Sequence, residues 1–348
     1  MTNKLWEKIK TGQPFSIAEA GVNHLGSLEL GEKLIASAAA SGASAIKFQS
    51  YKAKTLCTKD APRFWDWDGE EKKDGSQFDS YSILDSFGKE EHAKLKEMCE
   101  KYGIEFMSTP FDFESVDYLD EIGMRAYKIA SCDITNHPLL KRVASKGKIV
   151  MLSTGASTVE EIRQAVNILS TGTDMIVIMH CNLKYPTENS DINLGMIKNL
   201  KEEFGKKYII GLSDHTMDLR TPSFAYMLGA TVFERHYTLD KGMDKSADHW
   251  LSADPEDLKT IINNVNAAYE MYGNCEKQCT DSETVARKYA RRSVVASVNI
   301  RKGEVYTMEN LTCKRPGTGL PPSMYDKIIG QIATRDLSED HLLQVGDF

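Results

Sequence analysis

The stretch KIVMLSTGASTVEEIRQAVNILSTGTDMIVIMHC, residues 148–181, decides the fold. Its two ends, 148–153 and 175–181, are short apolar runs rich in β-branched residues. Between them, TVEEIRQAVNIL (158–169) spaces its apolar residues at helical intervals, and Thr158 followed by Glu161 has the form of a capping box. Strand, helix, strand is one β-α unit. Working outward, further strand runs stand at 15–19, 44–49, 104–108, 126–131, 208–213 and 231–236, which makes eight. Helical patterns follow at 28–41, 89–102 and 114–121. The strands are near-continuous apolar runs rather than strict alternations, as a parallel sheet covered on both faces requires. Eight units in about 260 residues predict an α/β fold, a (β/α)8 TIM barrel. A doubly wound open sheet is the alternative.

Composition removes other classes. The chain has 348 residues, 41% hydrophobic and 27% charged, which is enough to bury a large core and excludes a disordered chain. Its net charge is −7 with no basic run, so it is not expected to bind nucleic acid. Apolar runs such as DMIVIMHC (174–181) fall far short of the ~20 residues of a membrane span. No signal-peptide core opens the chain. Seven scattered cysteines argue against a disulfide framework and for a cytoplasmic location. Cys275 and Cys279 lack the second pair a zinc site needs and read as a solvated helix end. No dinucleotide or P-loop fingerprint occurs.

Each strand ends in groups capable of chemistry: Glu19, Lys47 and Gln49, Ser108 and Thr109, Lys128 and Ser131, Ser153 and Thr154, His180, Ser213 with Asp214 and His215, and Glu234 with His236. Barrel enzymes build their sites at this rim. Histidines closing neighbouring strands, His215 and His236, suit a divalent transition metal in an open, water-rich site, with Mn2+ or a similar ion favoured over tight structural zinc. Lys47 and Lys128 sit inside apolar strands, where a lysine needs an anion or loses its proton. With Ser108, Thr109, Ser131, Ser153 and Thr154 they read as a phosphate or carboxylate cradle; the alternative is a Schiff-base nucleophile.

Two segments break the pattern. The excursion at 51–88 carries Phe64, Trp65, Trp67, Phe78 and Tyr81 and reads as a lid, a partner surface or a loop on the barrel flank. After residue 273 a polar linker (274–289) leads to a small module (290–348) with short strands and turns, SVVASVNI at 293–300 and LTCK at 311–314. A module of this size gains stability by docking.

In order along the chain, IAEAGVNHLGSL (17–28), AIKFQSYKA (45–53), FMSTPFD (106–112), AYKIASCDITNHPLL (126–140), LSTGAST (152–158), GLSDHT (211–216), FERHYTLDK (233–241) and DHWLSADP (248–255) resemble the sialic acid synthase family. These are the synthases of nonulosonic acids that condense phosphoenolpyruvate (PEP) with an N-acylated amino sugar. VNIRKGE (298–304) and LTCKRPGTGL (311–320) are similar to the family's antifreeze-like SAF domain, a β-clip. The resemblance implies a carbon–carbon bond between C3 of PEP and a sugar aldehyde, water attack at C2 and loss of phosphate. It implies a proton-handling role for Glu19 and a PEP site of Lys47, Thr109, Lys128, Ser131, Ser153 and Ser213. It implies sugar contacts from Gln49, Tyr185 and Asp248, and metal ligation by His215 and His236, with Mn2+, Mg2+ or Co2+ as the ion. It further implies a homodimer in which the SAF domains are exchanged, Arg315 reaching the partner's barrel.

The pattern departs from the family at three places. A small polar residue is usual where Leu183 stands, Glu is usual at Asp133, and Gly-Pro is usual at Ser246-Ala247. These departures bear on the acceptor: N-acetylmannosamine, a diacetamido-trideoxy hexose of legionaminic or pseudaminic type, or a 6-phosphorylated sugar. A Schiff-base aldolase of the same fold and a carbohydrate-binding barrel without activity are the competing readings.

Overall fold

A computed structural model of the chain describes residues 3–65, 75–243 and 248–348. Trp67, Ser246 and Ala247 lie outside the described residues. Two compact units divide between Gly273 and Asn274.

In the first unit β1 (Phe15–Gly21), β2 (Ala45–Ser50), β3 (Glu105–Pro110), β4 (Ala126–Ile129), β5 (Ile149–Ser153), β6 (Ile176–Cys181), β7 (Ile209–Asp214) and β8 (Val232–His236) pair in sequence order. β8 pairs in parallel with β1 and closes the sheet, which excludes the open-sheet alternative. Helices α1 (Lys4–Ile9), α2 (Leu28–Ala40), α3 (Ala53–Leu56), α4 (Gln77–Ser82), α5 (Lys89–Tyr102), α6 (Phe113–Glu121), α7 (His137–Ala144), α8 (Val159–Leu169), α9 (Met196–Phe204), α10 (Thr221–Met227) and α11 (Pro255–Tyr272) belong to the same unit. The Thr158–Glu161 capping box forms and starts α8. The excursion carries α3 and α4, two short helices that its sequence did not announce.

Alternation along the strands organises the interior. Phe15, Ile17, Ala45, Met107, Ala126, Ile149, Met151, Val177, Met179 and Val232 form one cluster inside the barrel, and Leu5 and Ile9 of α1 pack into it from the N-terminal end. The intervening residues, such as Ile46, Phe48, Tyr127, Leu152, Ile178, Leu212 and Phe233, pack outward with the helices. The runs look continuous in sequence because both faces are apolar. On the inward face the apolar residues give way to polar groups at the second or third inward position, as with Lys47, Lys128 and Glu234 or Glu19 and Ser153.

The same parity corrects part of the strand-end reading. Ser108 falls on the outward face, bonded to Ser50 Oγ (2.7 Å) and the Phe48 carbonyl (3.1 Å). Thr154 donates to the Met179 carbonyl at 2.9 Å, and His180 Nε2 donates to the Ile192 carbonyl at 2.7 Å. Asp214 takes the Arg235 guanidinium at 2.5 Å. A one-residue offset turns a side chain to the opposite face, so these groups tie neighbouring strands and loops together and leave the cradle to others.

In the second unit β9 (Ser293–Ala296) and β10 (Leu311–Lys314) pair antiparallel, and α12 (Thr284–Ala290) and α13 (Tyr325–Ile328) complete it. Val294, Ala296, Ile300, Tyr306, Leu311, Ile328, Ala333, Leu337 and Leu343 form a separate core. Cys275 and Cys279 are exposed on irregular chain after α11 rather than at a helix end. Among the described residues no helix is long and apolar enough to cross a membrane.

Candidate active site

The polar layer at the C-terminal end of the barrel is built from inward positions. Glu19, Lys47, Lys128 and Glu234 are 1%, 2%, 4% and 4% exposed. Four charges this deep persist only if they neutralise one another. Lys47 Nζ lies 2.6 Å from Glu19 Oε2 and 3.9 Å from Glu234 Oε2, and donates to Thr109 Oγ1 at 2.8 Å. Lys128 Nζ donates to Glu234 Oε1 at 2.9 Å, and Ser213 Oγ donates to the same oxygen at 3.0 Å. Gln49 Nε2 donates to Glu19 Oε1 at 3.2 Å. The β1–β2 register shifts between Glu19 and Gly21, an irregularity of the kind that re-aims a side chain beside a site.

The two carboxylates differ in character. Burial pushes the Glu19 carboxyl above its ordinary range, the Glu234 charge adds to the push, and Lys47 offsets only part of it. Burial pushes Glu234 the same way, but Lys128 and Lys47 overcome it and bring it to about 2. Carboxylates driven apart in this way divide into a proton carrier and a fixed anion. Glu234 is the residue the sequence reading left without a role. Its signal was the spacing in FERH: two residues before His236, it shares that residue's face.

Burial would strip the proton from Lys128, but Glu234 holds its ammonium charged. A Schiff-base nucleophile needs the opposite, so the geometry speaks against the aldolase alternative. Ser153 Oγ is buried without a hydrogen-bond partner. Ser131 Oγ accepts from the Gly155 N–H at 2.9 Å. A Cβ at Gly155 would stand 2.8 Å from that oxygen and 3.0 Å from the Leu183 nitrogen, so the glycine lets these loops approach. Two ammonium groups and a set of hydroxyls thus gather at the C-terminal end of the barrel interior, the donor set an anionic ligand needs.

Beside them stand the histidines, ring centroids 5.3 Å apart, with the Tyr185 ring 4.0 Å from His215. His215 Nδ1 donates to the Asn182 carbonyl at 2.7 Å, which leaves Nε2 with its lone pair available. His236 Nδ1 lies 2.9 Å from Asp248 Oδ2 without meeting hydrogen-bond geometry. These imidazoles fit a divalent ion. Among the described residues no group of three or more His, Cys, Asp or Glu is arranged to hold one, so water would supply the remaining ligands. Asp133 accepts from Asn136 Nδ2 at 3.0 Å, and burial raises its carboxyl. Of the residues named from sequence, Glu19, Lys47, Gln49, Thr109, Lys128, Ser131, Ser153, Tyr185, Ser213, His215, His236 and Asp248 all belong to the barrel unit. Arg315 follows β10 in the second unit, exposed.

Comparison with known proteins places the chain. The model of the NeuB family matches residues 34–277. The chain belongs to the NeuB family. The SAF domain model matches residues 291–348 of this NeuB-family chain. The N,N'-diacetyllegionaminic acid synthase of Campylobacter jejuni is 39% identical, over 94% of this chain and 98% of that protein. The pseudaminic acid synthase of the same organism is 33% identical, over 96% of each chain. Among solved structures, the N-acetylneuraminic acid (sialic acid) synthetase of Leptospira borgpetersenii is 36% identical with a TM-score of 0.70, covering 79% of this chain and 90% of that one.

Proposed function

We propose that the chain is a nonulosonic (sialic-type) acid synthase that joins C3 of PEP to the aldehyde carbon of an N-acylated amino sugar, releasing phosphate. The observation that carries this reading is the buried lattice of Lys47, Glu19, Lys128 and Glu234, together with the buried Ser153 hydroxyl that has no hydrogen-bond partner. PEP presents a phosphate and a carboxylate, and Lys47, Lys128, Thr109, Ser131, Ser153 and Ser213 supply cations and hydroxyls to receive them. The enol π electrons form the new C–C bond. Water then adds at C2 and Glu19 accepts its first proton; the C2–O bond to phosphate breaks, the second proton leaves with the phosphate, and the ketone remains. The same carboxyl returns a proton to the new hydroxyl oxygen of the acceptor. His215 and His236 would hold Mn2+, with Mg2+ or Co2+ as substitutes. Such an ion, when bound, polarises the aldehyde oxygen as a Lewis acid. Gln49, Tyr185 and Asp248 face the sugar. The identity to both the legionaminic and the pseudaminic acid synthase supports a diacetamido-trideoxy hexose as acceptor, and the higher value for the former favours the legionaminic type.

The test is phosphate release from PEP across a panel of N-acylated hexosamines, with and without Mn2+. Release that requires one of them supports the reading; none with any acceptor overturns it. Release indifferent to chelation removes the metal from it.

The SAF module completes the proposal as a homodimer with exchanged modules, Arg315 closing the partner's site with its planar fork. Arg315→Ala and Glu19→Ala, each inactive alone, are expected to regain activity after mixing, because one site of a mixed dimer keeps both residues. Native mass spectrometry verifies the exchange. Mixed dimers that stay inactive contradict the arrangement.

A further inference from the structure

The excursion between β2 and α5 brings aromatic side chains to the mouth that the chemistry above does not use. Strand parity locates two of the cluster. Tyr51 lies two residues past Gln49, and Phe111 two past Thr109. The β2–β3 pairing runs on through the Phe111 N–H, which donates to the Ser50 carbonyl at 3.1 Å. Period-two alternation therefore sets Tyr51 and Phe111 one layer outward from Gln49 and Thr109. Their rings meet edge to face at 6.1 Å. From the excursion, the Tyr81 ring lies 5.5 Å from Tyr51 and the Trp65 ring 5.7 Å from Tyr81. Tyr51 is buried, while Trp65, Tyr81 and Phe111 keep part of their surface open.

We infer that Tyr51, Trp65, Tyr81 and Phe111 form a subsite for the far end of the acceptor, selecting a 6-deoxy terminus over a hydroxymethyl one. This rests on the synthase reading. The aldehyde carbon must lie beside Glu19 and the histidines, so the other end of the sugar extends outward to the rim. A methyl group there packs on ring faces and edges. A hydroxymethyl group surrenders water to ring faces and edges that offer it less than water did. Apolar pockets reject an added hydroxyl only modestly, by up to about 10²-fold.

The experiment measures kcat/KM of the full chain for matched 6-deoxy and 6-hydroxy N-acylated hexosamines at saturating PEP. The wild type is expected to favour the 6-deoxy sugar by roughly 10- to 100-fold. Trp65→Ala is expected to raise KM for that sugar about tenfold, leave KM for PEP unchanged and narrow the preference. Tyr81→Leu, a second rim variant, is expected to do the same, and calorimetric PEP titration verifies that both are folded. A wild type without preference, or folded variants that retain it, overturns the subsite. A wild type silent with every acceptor removes the synthase reading itself, and the subsite with it.

Discussion

Glu19→Gln is expected to lower kcat by about 10²–10⁴-fold while PEP still binds. The substitution keeps the shape and the Gln49 contact but removes the proton acceptor. Lys47 loses its ionic partner at 2.6 Å and keeps Thr109 and, at 3.9 Å, Glu234, so the cation remains for the ligand. The pH profile separates this from simple damage. Folded Glu19 titrates above the ordinary carboxyl value of 4.5, because burial raises it. Turnover in the wild type is therefore expected to fall as pH drops through that raised value, where the carboxylate gains its proton. Glu234, at about 2, stays charged throughout and contributes no such limb. In Glu19→Gln the limb disappears from the residual rate. An unchanged profile, or a full rate, contradicts the assignment.

Lys128→Met is expected to abolish measurable PEP binding and to destabilise the barrel by about 3–5 kcal/mol, the usual result of removing one partner of a buried ion pair. The charge that loses its close partner is Glu234, 2.9 Å from the missing ammonium and left with Lys47 at 3.9 Å and the Ser213 hydroxyl. Adding Glu234→Gln removes it, so the double variant is expected to recover most of the stability in denaturant titrations without regaining PEP affinity. That divergence tells a ligand-binding lysine from a structural one. Recovery of both together, or PEP affinity unaltered in the single variant, rules out the cradle role.

The barrel was legible because both faces of its strands are apolar and each run is bounded by turn residues. The strand ends were less legible: β1 and β3 run two residues past their expected ends, to Gly21 and Pro110, while β4 stops two residues short at Ile129, and Ser131 opens a 3-10 turn, Ser131–Asp133. The site was legible as a set of strand ends, but not which way each points. Continuous apolar runs hide parity, so Ser108, Thr154 and His180 looked equivalent to Thr109, Ser153 and His236. Only the closed sheet separates inward from outward positions. Glu234 was missed as a partner because nothing in sequence pairs it with Lys128, 106 residues away, before the strands close. The aromatic layer was hidden for a related reason. Tyr51, Trp65, Tyr81 and Phe111 come from a loop, a short helix and two strand ends, and no spacing joins them.

The most direct test of the account follows the oxygen that bridges C2 and phosphorus in PEP. With that oxygen labelled as oxygen-18 and a diacetamido-trideoxy hexose as acceptor, the account requires C–O cleavage. The label should leave entirely with phosphate, and the product should have the mass of acceptor plus PEP plus water less phosphoric acid. Label retained in the organic product, or phosphate released equally without any sugar, would contradict bond formation at the Glu19–Lys47 centre.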